Sequence, residues 1–283
     1  MAGLLDPVQR ERHVKNCPMK PLSECPKATL AAVRGVLTDI DETVSTDGRL
    51  TAEAYGALEA LKEAGFLVIP VTGRPAGWCD MIARFWPVDA VVGENGAFWM
   101  WHDLEAGKLR TRFVQSEAER VDGRRRLEAV RADVLREVPG AGIASDQPYR
   151  LADLAIDFRE DVPPLPRSDI ERIVAIFERH GAHAKVSSIH VNGWFGDYDK
   201  LTTSKAMMAE LFGVDLGRDA ERYVFSGDSP NDSPMFGFFP NGVGVANVRD
   251  FAGAMTALPR WVTQARSGAG FVELARALIA ARS

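Results

Sequence analysis

From Val33 onward the chain alternates short apolar runs with stretches of helical period. "VRGVLTD" is such a run, and "LTAEAYGALEALKEAG" follows it with Leu50, Ala54, Ala57, Leu58 and Leu61 at helical spacing, stopping at Gly65. "FLVIPVTGRP" then reads as a second buried strand, "AGWCDMIARFW" as a helix, and "DAVVGENGA" as a strand ending in a turn. Strands and helices that alternate in this way predict a parallel sheet covered on both faces, a doubly wound α/β fold.

The middle of the chain, roughly 105–195, has a different pattern. A polar, arginine-rich helix over 116–137 precedes a strand "LADLAIDF", a proline-rich loop, a helix "IERIVAIFERHG" and a strand "AHAKVSSIHV". After Gly196 the first pattern resumes, with a helix "TTSKAMMAELFG", a strand "ERYVFSGD", a loop "SPND", a strand "GVGVA" and a closing helix "GAGFVELARALIAA". The expected organisation is a core domain over 28–104 and 196–283 interrupted by an α+β cap over 105–195. Residues 1–27, with prolines at 7, 18, 21 and 26, carry neither period and read as an N-terminal extension, draped on the surface or partly disordered.

Composition narrows the function classes. With 283 residues and 46% hydrophobic content the chain can bury a sizeable core. A net charge of -5 supplies no broad positive field, which argues against nucleic acid or an anionic membrane as partner. No apolar run reaches transmembrane length, and basic residues break up the region where a signal peptide would lie. Three cysteines, Cys17, Cys25 and Cys79, form no CxxC pair and no even disulfide set, so a cytoplasmic location is the expectation. Oligomeric state has no signature here.

In open parallel sheets, ligands bind beyond the carboxyl ends of the strands. Polar groups cluster at four such ends: Asp39 and Asp41, then Thr72 and Gly73, then Asn95, then Asp228 and Asp232. Two aspartates two residues apart can project to one side, and their repulsion in a half-buried cleft calls for a cation or a proton. Mg²⁺ is the natural hard cation for such oxygens. One carboxylate could then attack phosphorus while the other shuttles a proton.

On these residues the sequence resembles the haloacid dehalogenase superfamily of phosphotransferases. "DIDET" matches its first motif, which implies Asp39 as nucleophile and Asp41 as general acid/base. "VTGRP" matches the second, implying that the Thr72 hydroxyl and the Gly73 N–H hold the transferring phosphoryl group, with Arg74 and Asn95 beside them. A lone lysine opening a helix is the third; Lys205 is favoured over its competitor Lys200. "GDSPND" matches the fourth, implying that Asp228 ligates Mg²⁺ with Asp39 and the backbone carbonyl of Asp41, and that Asn231 and Asp232 complete the shell. "GENGA" and "GVGVANV" are similar to the subgroup with a type IIB cap, which includes Cof-like, sucrose-phosphate and mannosyl-3-phosphoglycerate phosphatases and phosphomannomutase.

The resemblance implies a Rossmann-like core and a Mg²⁺-dependent phosphatase acting on a small phosphate ester, a sugar phosphate best, through an aspartyl phosphate. A sugar phosphomutase ranks second and a non-catalytic phospho-ligand binder third. His190 and Asn192 are weighed as substrate contacts against a plain structural role. Trp78, Trp86, Trp99 and Trp101 read as packing residues, and the arginines at 124–126 as a solvated helix face.

Overall fold

A computed structural model describes residues 19–282; the first 18 residues, and with them Cys17 and most of the predicted extension, lie outside the described residues. The chain divides into two compact units. The first runs to Val71 and takes in Trp86–Asp89 and the chain from Lys205 on; the second is Thr72–Phe85 and Ala90–Ser204.

The first unit is built on a parallel sheet of six strands in the order Lys20–Pro21, Trp261–Val262, Val243–Gly244, Tyr223–Gly227, Gly35–Thr38, Leu67–Pro70. Pro21 and Pro70 both lie on edge strands, where a missing N–H breaks no interior ladder. The two central strands pair in the register Val36 with Val224, Leu37 with Phe225 and Thr38 with Ser226. Their alternation supplies two apolar faces. Val36 and Val224 join Leu58, Leu61, Phe271, Leu274 and Leu278 of the helices Ala52–Glu63 and Ser267–Arg282 in one cluster. On the opposite face Phe225 packs edge-on against Phe236, with ring centroids 5.4 Å apart, and stacks near Phe239.

Local chemistry sets the element boundaries. Thr51 caps the helix Ala52–Glu63 by accepting the Ala54 N–H, and Gly65 at φ 77° turns the chain into the next strand. A Cβ on Gly35 would stand 2.9 Å from the Leu67 Cβ, so only glycine admits that strand pair.

In the second unit Val91–Gly93, Phe98–Asp103 and Lys108–Phe113 form an antiparallel sheet. A four-stranded antiparallel sheet runs Gly142–Ile143, Leu154–Asp157, His190–Trp194, His183–Val186. The helices Glu117–Glu137 and Arg167–Arg179 cover it through Leu127, Val130, Val134, Ile173, Ile176 and Phe177. Ser116 and Glu119 start the longer helix as a reciprocal capping box.

The structure amends the sequence expectation at several points. "AHAKVSSIHV" is two strands of a hairpin, because Ser187 Oγ accepts the Ile189 and His190 N–H groups and turns the chain. Lys20–Pro21 is a strand inside the stretch 1–27 read as having no period, and the helix Lys27–Ala32 follows at the start of the core stretch. Trp261–Val262, too short for any period, inserts between two other strands. Among the described residues no helix is long and apolar enough to cross a membrane.

Candidate active site

The first unit gathers carboxylates at adjacent strand ends. Asp39 follows Gly35–Thr38 and donates its N–H to the Ser226 carbonyl at 2.8 Å, extending the ladder by one residue. Asp228 follows the neighbouring strand. Asp39, Asp228 and Asp232 are all buried, and each offers an oxygen within 4.8 Å of the others. Three buried carboxylates side by side repel one another, and a cation among them would offset that repulsion. Carboxylate oxygens in this number suit a hard divalent cation.

The loop geometry explains how the three stay together. Asp232 Oδ2 accepts the Asp228 N–H at 3.0 Å and the Ser229 N–H at 3.3 Å, folding "GDSPND" back on itself. A Cβ on Gly227 would sit 2.4 Å from that oxygen, which explains the glycine before Asp228. Asn231 is buried, and its Oδ1 accepts the Ser229 hydroxyl at 2.6 Å, on the same loop as Asp228 and Asp232.

Asp41, half-buried, begins a tight turn in which the Ile40 carbonyl accepts the N–H groups of Thr43, Val44 and Ser45. Several supporting residues stand inside the quoted motifs or beyond them with no task of their own assigned. Thr43 donates its hydroxyl to Asp228 Oδ1 at 3.4 Å. Asn247 donates to Asp228 Oδ2 and to the Glu42 carbonyl, both at 2.9 Å, and Ser267 ties back through its N–H to Asn247 and its hydroxyl to Glu42. Asn247 belongs to "GVGVANV", so it lay inside a recognised stretch without an assigned task.

The second unit contains Thr72, Gly73, Arg74 and Asn95 and brings these four together. The Thr72 N–H bonds the Val92 carbonyl at 2.9 Å, and Thr72 Oγ1 accepts the Arg74 N–H at 3.0 Å. The Asn95 N–H reaches the Thr72 carbonyl at 3.0 Å, and its side-chain amide lies where a Cβ on Gly73 would be, 3.2 Å away. Asn95 adopts a left-handed φ of 55°, a conformation asparagine tolerates better than most residues. Arg74 is buried between Asp146 and Glu160, at 3.5 and 3.2 Å, with its guanidinium 4.4 Å above the Trp78 ring.

The two candidate lysines differ in setting. Lys200 opens the helix Lys200–Phe212 and is buried. Lys205 lies one and a half turns further on, half-buried, with its ammonium 3.9 Å from the centre of the Phe238 ring. The cap candidates are engaged within their own unit. His190 Nε2 lies 2.9 Å from Glu160 Oε2, and Asn192 donates to Asp153 at 3.2 Å. The close approach of His190, with Arg74 nearby, holds the Glu160 carboxyl down at about 2. Cys25 and Cys79 are buried free thiols.

No protein-family model and no curated protein matches the sequence. Solved structures do match. The C-terminal domain of trehalose-6-phosphate phosphatase from C. albicans superposes with a TM-score of 0.69 at 13% identity, over 94% of this chain and 99% of that one. A protein described as a HAD/COF-like hydrolase from Plasmodium vivax gives 0.63 at 16%, over 90% and 99%. The sucrose-phosphatase of Synechocystis sp., solved with sucrose and phosphate, gives 0.61 at 14%, over 87% and 98%.

Proposed function

Because the chain has the capped α/β fold of the haloacid dehalogenase-type hydrolases, we propose that it is a Mg²⁺-dependent phosphatase of a small phosphate ester, best a sugar phosphate. The observation that carries this reading is the convergence of buried Asp39, Asp228 and Asp232 at adjacent strand ends. Asp39, Asp228 and Asp232, with the backbone carbonyl of Asp41, would hold the ion. When bound, Mg²⁺ supplies positive charge that offsets the carboxylates and the phosphoryl oxygens.

In this reading an Asp39 oxygen attacks phosphorus and the bond to the leaving oxygen breaks as Asp41 gives that oxygen its proton. Asp41 then takes a proton from water, whose oxygen attacks the aspartyl phosphate and releases inorganic phosphate. The Thr72 hydroxyl and the Gly73 N–H steady the phosphoryl oxygens while Asn95, Arg74 and Asn231 hold the surrounding loops. The same role demands a lysine. The third motif is a lysine that opens a helix, and Lys200 opens the helix Lys200–Phe212, which favours it as the charge on the phosphoryl group, with Lys205 second. A sugar phosphate is favoured because sucrose- and trehalose-6-phosphate phosphatases share the fold. Residues 105–195 would act as the cap that sets specificity and excludes water, and the reduced, buried thiols Cys25 and Cys79 fit a cytoplasmic location.

The test is phosphate release from a panel of sugar phosphates and phosphoglycerates with Mg²⁺ and with EDTA. Selective turnover abolished by EDTA and restored by Mg²⁺ is expected. Absence of release from every ester, by folded and metal-loaded protein, contradicts the reading.

A further inference from the structure

The second unit holds a buried ionic cluster to which the reaction above gives no task. Arg150, whose side chain is 1% exposed, donates from Nε and Nη2 to the two oxygens of Asp146 at 3.0 and 3.2 Å. Its Nη1 donates to both oxygens of Asp153, at 3.0 and 3.2 Å. The same Nη1 also reaches the Gly73 carbonyl at 2.9 Å, across 77 residues of sequence. Two carboxylates would already balance the charge, so the bond to Gly73 is an additional, directed contact.

Glu94 makes a matching contact from the other side. Its carboxylate accepts the N–H of Ala76 at 3.0 Å and those of Leu151, Ala152 and Asp153 at 2.8, 2.6 and 3.2 Å. The turn 72–76 is therefore fastened at two points to the segment 150–153: the Gly73 carbonyl through Arg150, and the Ala76 N–H through Glu94. A glycine is the residue least able to hold its own backbone in place. Gly73 cannot be exchanged freely for a stiffer residue, since its Cβ would press on the Asn95 amide at 3.2 Å. Rigidity must come from outside the turn, and a desolvated guanidinium with its planar fork of donors supplies it.

We propose that Arg150, supported by Glu94, is a positioning residue that presets the Thr72–Gly73–Arg74 turn for an anionic phosphoryl group. The inference rests on the phosphoryl-binding role given to Thr72 and Gly73 above. Arg150 touches no reacting atom; it acts through the Gly73 carbonyl. Lysine keeps the charge but, as a point donor on a flexible stem, cannot span Asp146, Asp153 and that carbonyl together.

The experiment titrates inorganic phosphate into Mg²⁺-loaded wild-type protein, Arg150→Lys and Asp153→Asn by calorimetry, with thermal unfolding followed in parallel. Arg150→Lys is expected to weaken phosphate binding about tenfold or more, the scale of one lost charged hydrogen bond. Asp153→Asn, which loosens Arg150 without removing it and leaves the Asp146 partner of Arg74 in place, is expected to weaken binding in the same direction by a smaller factor, and it decides the matter if Arg150→Lys does not fold. A lowered melting temperature with wild-type phosphate affinity in the folded variants is the mark of a merely structural role and overturns the proposal. Wild-type protein that binds no phosphate overturns the phosphoryl-binding reading and the positioning role with it; that outcome is read from the wild-type titration alone.

Discussion

Among single residues, the sharpest distinction is between the two lysines. Lys200 opens the helix Lys200–Phe212, the place the motif gives its lysine, whereas Lys205 lies inside that helix with its ammonium over the Phe238 ring. Lys200→Met is expected to lower kcat by about 100-fold or more, and Lys205→Met by no more than about threefold, in steady-state assays with a turned-over ester. The reverse order would return the role to Lys205. Asn247 offers a second test, because it holds one oxygen of Asp228 from outside the carboxylate cluster. Asn247→Ala should raise the Mg²⁺ concentration needed for half-maximal rate about tenfold or more, as loss of an outer-shell partner does. An unchanged requirement would separate Asn247 from the metal site.

The secondary-structure elements show where sequence patterning carries information and where it stops. Gly193, in the strand His190–Trp194, faces the Phe177 ring of the helix Arg167–Arg179, and a Cβ there would come within 2.1 Å of it. Gly193→Ala is expected to destabilise the protein by about 1–3 kcal/mol through overpacking, measured by urea denaturation. The helices Ala52–Glu63, Ala76–Phe85 and Glu117–Glu137 and the strands Gly35–Thr38 and Tyr223–Gly227 were readable because each carries a full period or an uninterrupted apolar run. Two-residue strands such as Lys20–Pro21 and Trp261–Val262 are too short to show one, and their pairing comes from neighbours far along the chain. The carboxylates of the site were readable for a related reason. Asp39 and Asp228 stand directly behind strands that the pattern reveals, and Asp232 lies in the loop "SPND" that follows the second. Arg150, Glu94 and Asn247 act through backbone groups distant in sequence, and no local spacing announces such partners.

For the molecule as a whole, two carboxyls give stability an opposite dependence on pH at the two ends of its range. Burial, with the charge of Asp153 adding to it, pushes Glu94 up from 4.5 to about 7, against the pull of Arg150 and the N–H groups of Leu151 and Ala152. The folded chain then keeps a proton that the unfolded chain has released, so this contribution is complete below pH 4.5 and lost as pH rises through about 7. Glu160 works the other way: its carboxyl is depressed to about 2, and its contribution is present above 4.5 and lost as pH falls through about 2. Urea midpoints of wild-type protein and Glu94→Gln at about pH 5 and about pH 8 should show a smaller drop between the two in the variant. An equal drop would mean that Glu94 does not titrate in that window. The proposed role of Asp39 as the nucleophile of a phosphatase is put to the test by the turnover of Asp39→Asn beside wild-type protein, on the best phosphate ester and with Mg²⁺ present. A loss of about 1,000-fold or more is expected with the fold and melting temperature intact; turnover near the wild-type rate would mean that Asp39 does not attack phosphorus.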